Sequence, residues 1–161
     1  MWNNGFLNIC IALCCILLMS SCGPGRASGG STGNEMTEQT EFATLARGQY
    51  SGIEEKKYVI VTSQKEWERL WEKVHKFITP APDVPVIDFA SDIVLGVFMG
   101  TRPTGGYSIE IDELRACDDR ILAIVKSRSP GPEDMVTTAL TQPYHIIRLE
   151  ATGREIEFKE K

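Results

Sequence analysis

The sequence predicts a mainly β domain of the α+β class, either an antiparallel sheet or an immunoglobulin-like sandwich of about six or seven strands, with one amphipathic helix inserted early. Three observations favour this class. Runs rich in β-branched and aromatic residues fill most of the second half of the chain. Only one segment carries the period of a helix. Helix and strands do not alternate, which argues against a doubly wound α/β fold.

One segment has the features of an amphipathic helix. Ser63 and Glu66 stand three residues apart and predict a capping box at its start. Four apolar residues then follow at i, i+3, i+4 and i+7, which places them on one face. They are Trp67, Leu70, Trp71 and Val74. Because prolines from Pro80 onward cannot continue a helix, it ends before them, and we expect the apolar face to pack into the core.

The predicted strands differ in their patterns. They cover residues 48–53, 57–62, 92–100, 107–112, 120–127, 145–151 and 154–159. The run at 92–100 is almost continuously apolar, which is typical of a central strand buried on both faces. The run at 107–112 alternates and directs Tyr107, Ile109 and Ile111 inward. Thr152-Gly153 separates the last two strands and predicts a tight hairpin.

The N-terminal segment predicts export and a lipid anchor. Residues 6–19 are apolar over a length that suits a signal peptide of about 7 to 15 apolar residues, and are too short to span a bilayer. The run closes on Met19-Ser20-Ser21-Cys22, which resembles a bacterial lipobox. We therefore predict a lipoprotein signal peptide at 1–21, a lipidated Cys22 with a flexible tether at 22–41, and a globular domain at 42–161.

This organisation predicts a location in the cell envelope. The domain would be anchored to a bacterial membrane by lipid at Cys22 and would face the periplasm or the cell exterior. A buried N-terminal helix or an uncleaved anchor is the alternative interpretation of residues 6–19. Four of the five cysteines lie at or before Cys22, so the exported domain would keep only Cys117, which we expect to be a buried apolar residue.

Composition excludes several classes of function. A net charge of -5 without clustered Lys or Arg argues against nucleic acid. His75 and His145 are the only histidines, and neither has a second histidine or a cysteine at metal-ligand spacing, so we predict no metal and no cofactor. His145 has no nucleophile elbow to partner it. We therefore predict a protein that is not an enzyme and that binds another protein.

Two loops are the strongest candidates for that binding. The first spans residues 100–107 and combines a rigid proline with glycines. The second spans residues 129–145 and has no clear period, and long loops in small domains are usually functional or disordered. Val136, Ala139 and Leu140 predict that it is partly buried. In the plainer interpretation, the first loop is only a tight turn and the second is only a segment that packs against the domain as it crosses between strands.

Three stretches of these loops and the strands beside them resemble the C-terminal domain of the PrcB family: RPTGGYSIEI at 102–111, PGPEDM at 130–135 and LTQPYHIIRL at 140–149. The likeness covers roughly residues 57–149. It implies an accessory or stabilising subunit of an envelope protease complex, with a protease as partner and no catalytic residues. The residues expected to contact the partner are Arg102, Pro103, Thr104, Gly105, Gly106, Tyr107, Pro130, Gly131, Pro132, Pro143 and Tyr144.

A second likeness suggests an alternative function. Residues 103–107 are similar to the NPTTGY loop of chagasin-type cysteine protease inhibitors, which are immunoglobulin-like sandwiches whose neighbouring loops fill a protease cleft. Arg102 stands in place of their asparagine, Gly105 stands in place of their second threonine, and their RPW loop has no counterpart. This likeness implies an inhibitor that inserts the Arg102–Tyr107 loop into a protease cleft.

Overall fold

The computed structural model describes residues 38–161. The predicted signal peptide, the lipidation site Cys22 and most of the predicted tether lie outside the described residues. Within these described residues the chain forms eight strands and one helix. In chain order they are β1 (Glu38–Thr40), β2 (Ala43–Gly48), β3 (Lys57–Val61), α1 (Gln64–His75), β4 (Asp92–Phe98), β5 (Ser108–Ala116), β6 (Arg120–Arg128), β7 (Tyr144–Glu150) and β8 (Glu155–Glu160).

The strands form two four-stranded sheets. Sheet A has the order β1-β5-β6-β8, and sheet B has the order β2-β7-β4-β3. An aliphatic core fills the space between the sheets, where Leu95 and Ile147 of sheet B meet Ile111 and Leu114 of sheet A. The predicted mainly β sandwich with one helix is confirmed. β1 lies inside the segment predicted as tether, so the sheet pairing begins before residue 42.

The helix covers the outer face of sheet B. Its predicted apolar face is buried and packs with Val94, Phe98 and Ile146 in a second core. Trp67 and Trp71 donate their indole N–H groups to the carbonyls of Pro85 and Pro82, at 2.9 and 3.0 Å. The two tryptophans therefore hold the proline-rich segment that follows α1 against the helix.

The predicted capping box is wrong. The Ser63 hydroxyl makes no capping bond to the backbone and donates instead to the Glu66 carboxylate at 2.9 Å. The two side chains that were expected to cap the helix satisfy each other, because a serine hydroxyl beside a carboxylate forms a charge-assisted bond.

Two further expectations about the strands are wrong. The Thr152-Gly153 turn does not close a hairpin, because β7 belongs to sheet B and β8 lies parallel to β6 in sheet A. The turn carries the chain from one sheet to the other. The strand predicted at residues 48–53 is also misplaced: the first strand of sheet B is β2, which ends at Gly48, and residues 49–53 form an irregular segment after it.

Among residues 38–161, no helix is both long and apolar enough to cross a membrane.

Candidate functional site

Two loops cross from one sheet to the other at the same end of the sandwich. Residues 99–107 join β4 to β5, and residues 129–143 join β6 to β7. Phe98 pairs with Tyr144 in sheet B, and Ser108 pairs with Arg128 in sheet A, so the two loops start and end beside each other. We call them together the paired-loop surface.

Hydrogen bonds join the two loops into one unit. Arg102 and Thr141 exchange backbone bonds, with N–H to carbonyl distances of 2.8 and 3.0 Å. The Thr141 hydroxyl, which is buried, donates to the carbonyl of Thr104 at 2.8 Å. The amide of Gly105 donates to the carbonyl of Thr137 at 3.0 Å. The backbone of the second loop is thus fixed by the first.

The two glycines of the first loop permit this close approach. A Cβ atom on Gly105 would lie 2.6 Å from Oγ1 of Thr137. Gly106 has a φ of +84°, and a Cβ there would lie 2.8 Å from Cγ1 of Val136 and 3.0 Å from Cβ of Pro130. These separations are shorter than packed atoms normally adopt, so a larger residue at Gly105 requires the Thr137 side chain to move, and one at Gly106 requires Val136 and Pro130 to move.

Arg102 and Tyr107 face each other inside the first loop. The guanidinium of Arg102 donates to the carbonyl of Met99 at 2.8 Å and lies 5.8 Å from the centre of the Tyr107 ring. Both residues are half-buried, whereas Thr101 and Pro103, on either side of Arg102, are exposed. Arg102 is therefore turned back onto its own loop, where it braces Tyr107 through a cation–π contact.

The start of the second loop is a tight turn. The Asp134 carboxylate accepts a hydrogen bond from the amide of Gly131 at 3.0 Å and forms an ion pair with Arg128 at 3.4 Å. Pro130 is half-buried beside Gly106, whereas Gly131 and Pro132 are exposed. The turn thus presents two of the predicted contact residues to solvent.

The middle of the second loop exposes apolar side chains. Met135 is fully exposed, Leu140 is 66% exposed and Val136 is 36% exposed. Ala139 is exposed as well. Val136 is partly buried, as expected, with its Cγ1 beside Gly106, whereas the expected partial burial of Ala139 and Leu140 is wrong, because the loop is attached by its backbone and these side chains face outward.

Pro143 and Tyr144 lie in the interior. The carbonyl of Pro143 accepts a bond from the amide of Met99 at 2.9 Å. Tyr144 is buried. Its ring stacks on that of Phe98, with the ring centres 6.2 Å apart, and covers Gly48. Burial conflicts with the predicted role of these two residues as partner contacts. Pro143 ends the second loop in the interior and Tyr144 begins β7, whereas the other nine predicted residues lie along the two loops nearer the surface or at their turns.

Gln142 organises the site and was not among the predicted residues. Its backbone bonds to Gln49 and Ser51, at 2.6 and 3.1 Å. Its side-chain carbonyl accepts from the amide of Gly52 at 3.0 Å, and its side-chain NH2 donates to the Thr101 hydroxyl at 3.1 Å. It therefore ties residues 49–52 to both loops. A polar residue directly before the Pro143-Tyr144 pair is the signal that could have identified it.

His145 joins the two sheets. Its Nδ1 accepts the amide N–H of Ile111 at 3.0 Å, so the neutral ring carries its proton on Nε2 and donates it to the Thr44 hydroxyl at 2.9 Å. Burial, and secondly the charge of Arg47, lowers the pKa of His145 to about 4, against a smaller opposing effect of Glu110. At pH 7 the ring is neutral, and because its Nε2 carries the proton donated to Thr44, it cannot accept a proton from that hydroxyl in this arrangement.

Metal and thiol chemistry have little support in the part of the chain that the structure describes. Within residues 38–161, no three His, Cys, Asp or Glu side chains come close enough together to hold a metal ion. Cys117 is 4% exposed, which confirms its prediction as a buried apolar residue.

The arrangement at the paired-loop surface is suited to contact with another molecule, because it combines a fixed backbone with exposed apolar side chains.

Comparison with known proteins identifies the segment that carries this surface. Residues 93–150 match the family model described as PrcB C-terminal, a span that runs from β4 through β7 and contains both loops. The helix and β3, which the predicted likeness also included, lie before this match. No curated protein and no solved structure matches the chain. Residues 93–150 of this chain are therefore similar to the PrcB C-terminal domain family.

Proposed function

We propose that this domain is a non-enzymatic, protein-binding module that serves as an accessory or stabilising subunit of an envelope protease complex. The family match supports a domain associated with such a complex. In this proposal the partner docks on the paired-loop surface. Lipid at Cys22 and the segment that follows it hold the domain near the membrane where its partner works.

One observation carries the proposal: Met135 and Leu140 are exposed on a loop whose backbone is already fixed. Exposed apolar side chains on one loop favour burial against another protein. Because six hydrogen bonds hold the second loop to the first, docking would order little additional chain and would cost little conformational entropy. Gly131 and Pro132 extend the same surface with a rigid turn.

The chemistry of the domain supports a role without catalysis. A hydrolase would need a base that can accept a proton from a nucleophile. His145 is buried and, among the described residues, donates to one hydroxyl, that of Thr44. His75 is buried with its Nδ1 on the carbonyl of Trp71 at 2.9 Å, within the helix.

The anchoring of the first loop counts against the inhibitor alternative. An inserted loop has to project beyond its neighbours, yet Arg102, Thr104 and Gly105 are each hydrogen-bonded to the second loop. Arg102 also points back to Met99. The side chains available for contact are those of the second loop, and a docking surface fits them better than a cleft-filling loop.

A photo-crosslinking experiment in cells tests the proposal. The full chain would carry a photoreactive phenylalanine at Leu140, or at Phe77 as the control, since both side chains are largely exposed, at 66% and 73%. Phe77 follows the helix and lies outside the family match. We expect light to join a protease to the Leu140 variant and not to the Phe77 variant. The same products from both positions, or products without any protease, would refute the proposed role.

The activity of the captured protease separates the two functions. An accessory subunit should lengthen the lifetime of the protease in cells, so deletion of the chain should lower the amount of protease. An inhibitor should lower the rate of peptide cleavage when purified chain is added to the protease. Loss of activity on addition, without any change in abundance on deletion, would favour the inhibitor.

A further inference from the structure

The two sheets have four edge strands, and three of them are protected against pairing with another strand. β1 is only three residues long. β2 contains a bulge between Thr44 and Ala46. β8 alternates charged and apolar residues over the sequence EIEFKE. Short length, bulges and charges are the usual means by which proteins prevent edge-to-edge association.

β3 is the least protected of the four. Its sequence is KYVIV, with a single charge at the first position, and its register with β4 runs without interruption from Lys57 to Val61. Among the described strands it pairs only with β4. Ile60, in the middle of the strand, is 44% exposed. An unprotected apolar edge of this kind is a template for a further strand.

A charged groove runs along this edge. It has a volume of about 290 Å³ and lies between β3 and one face of α1. Its charged residues are Lys57, Arg69, Lys73 and Glu66. Among the described residues, none of the three cations forms a salt bridge. The groove therefore carries excess positive charge on a protein whose net charge is -5.

The two faces of β3 differ in a way that defines the incoming strand. Val59 and Val61 pack in the core under the helix, so this face of the edge adjoins Arg69 and Lys73. Ile60 pairs with Leu95, which belongs to the core between the sheets, and therefore faces the opposite side. A strand added here would place alternate residues beside the cations and beside Ile60.

We propose that the β3 edge binds an extended segment of a partner protein in which acidic and aliphatic residues alternate. The acidic side chains would lie toward Arg69 and Lys73, and the aliphatic ones beside Ile60. Backbone hydrogen bonds to the free edge of β3 would supply much of the affinity. This site is separate from the paired-loop surface and does not depend on the proposed function.

Binding of two short peptides tests the site. The full chain, held in detergent, would be titrated against a fluorescent, end-capped octapeptide of alternating Glu and Val and against its Lys and Val counterpart. We expect the acidic peptide to bind and the basic peptide not to bind. Arg69→Glu with Lys73→Glu should weaken the acidic peptide about tenfold, since two attractions become repulsions. Ile60→Lys should weaken it to a similar extent.

Matched variants control for charge and for folding. Lys65→Glu with Arg154→Glu makes the same change in net charge at exposed positions outside the groove. Val84→Lys changes a side chain that is 39% exposed and also lies outside the groove. Both controls should bind the acidic peptide as the parent does, and circular dichroism should be unchanged for all four variants.

Two outcomes would overturn the proposal. One is equal binding of both peptides, or equal weakening by groove and control variants, which would indicate a nonspecific surface. The other is a concentration-dependent dimer in sedimentation that Ile60→Lys abolishes, which would make a second copy of this chain the occupant of the edge.

Discussion

The body of the sandwich and the paired-loop surface use apolar residues in opposite ways. In the body, side chains such as Val94, Leu114 and Ile121 are completely buried. In the second loop, Met135 and Leu140 face outward, while backbone groups of Thr137, Thr141 and Pro143 bond to the first loop. The body is held by hydrophobic burial, whereas the loops are held by hydrogen bonds.

This contrast explains how stability and binding are separated in one small domain. Burial of a large apolar side chain stabilises by about 1.5 to 3 kcal/mol, whereas a hydrogen bond contributes about 0.5 to 1.5 kcal/mol net. The loops can therefore hold a defined shape while their apolar side chains remain free for a partner. Changes in the body should cost stability, and changes at the exposed loop positions should cost binding.

Trp67→Ala should have the largest effect. Trp67 is completely buried, and its indole N–H bonds to the carbonyl of Pro85. Removing the side chain leaves a cavity and an unpaired carbonyl, which should lower the free energy of unfolding by about 3 to 5 kcal/mol. Met135→Ala should change it by less than about 0.5 kcal/mol. Urea denaturation measures both, and similar losses would contradict the contrast.

Acid should weaken the link between the two sheets. The pKa of His145 is about 4 in the folded protein and 6.5 in the reference state. Because the pKa of His145 is lower in the folded protein, the neutral ring contributes fully to the free energy of unfolding above pH 6.5. This contribution is lost as the pH falls toward 4, by about 3 kcal/mol in all.

The variant His145→Asn isolates this effect from the carboxylates. Between pH 6.5 and 4.5, the free energy of unfolding should fall more steeply in the parent than in the variant, because only the parent has to protonate a buried imidazole. Denaturation curves at several pH values would show this. Identical slopes would mean that His145 is free to take up a proton in the folded state.

Gly106→Ala should have a smaller effect, confined to the loops. Gly106 and Gly153 both have positive φ, but a Cβ on Gly153 would meet nothing within 4 Å. Gly153→Ala should therefore show the conformational cost alone, about 1 kcal/mol, and Gly106→Ala should cost about 2 to 3 kcal/mol, because Val136 and Pro130 must also move. Thermal unfolding measures the difference. Equal losses would show that the loops adjust freely.

The sequence predicts the body well because local patterns determine it. The helical spacing of Trp67, Leu70, Trp71 and Val74 specifies a buried face, and the continuous apolar run of β4 specifies a strand covered on both sides. The strand ranges of β3, β6 and β7 follow for the same reason. Recognition of the loop motifs likewise located the paired-loop surface.

The pairing of β8 and the exposure of the second loop could not be predicted, because they depend on contacts between residues far apart in the sequence. A turn at Thr152-Gly153 can be predicted, but the sequence does not show that β8 will pair with β6 in the other sheet. Leu140 is hydrophobic and was expected to be partly buried, yet it is 66% exposed. Its exposure accompanies backbone bonds from the flanking Thr137 and Thr141 to the first loop, which involve groups that every residue carries and no pattern of side chains reveals.

The most direct test is to purify the protease that crosslinking identifies and to measure its affinity for two double variants of the full chain. Met135→Asp with Leu140→Asp changes the paired-loop surface, and Phe77→Asp with Val86→Asp changes two comparably exposed side chains outside it. We expect the first pair to weaken binding by about tenfold or more, since exposed apolar anchors dominate such contacts, and the second pair to leave it unchanged. Equal affinities for the two variants would contradict docking on the paired-loop surface.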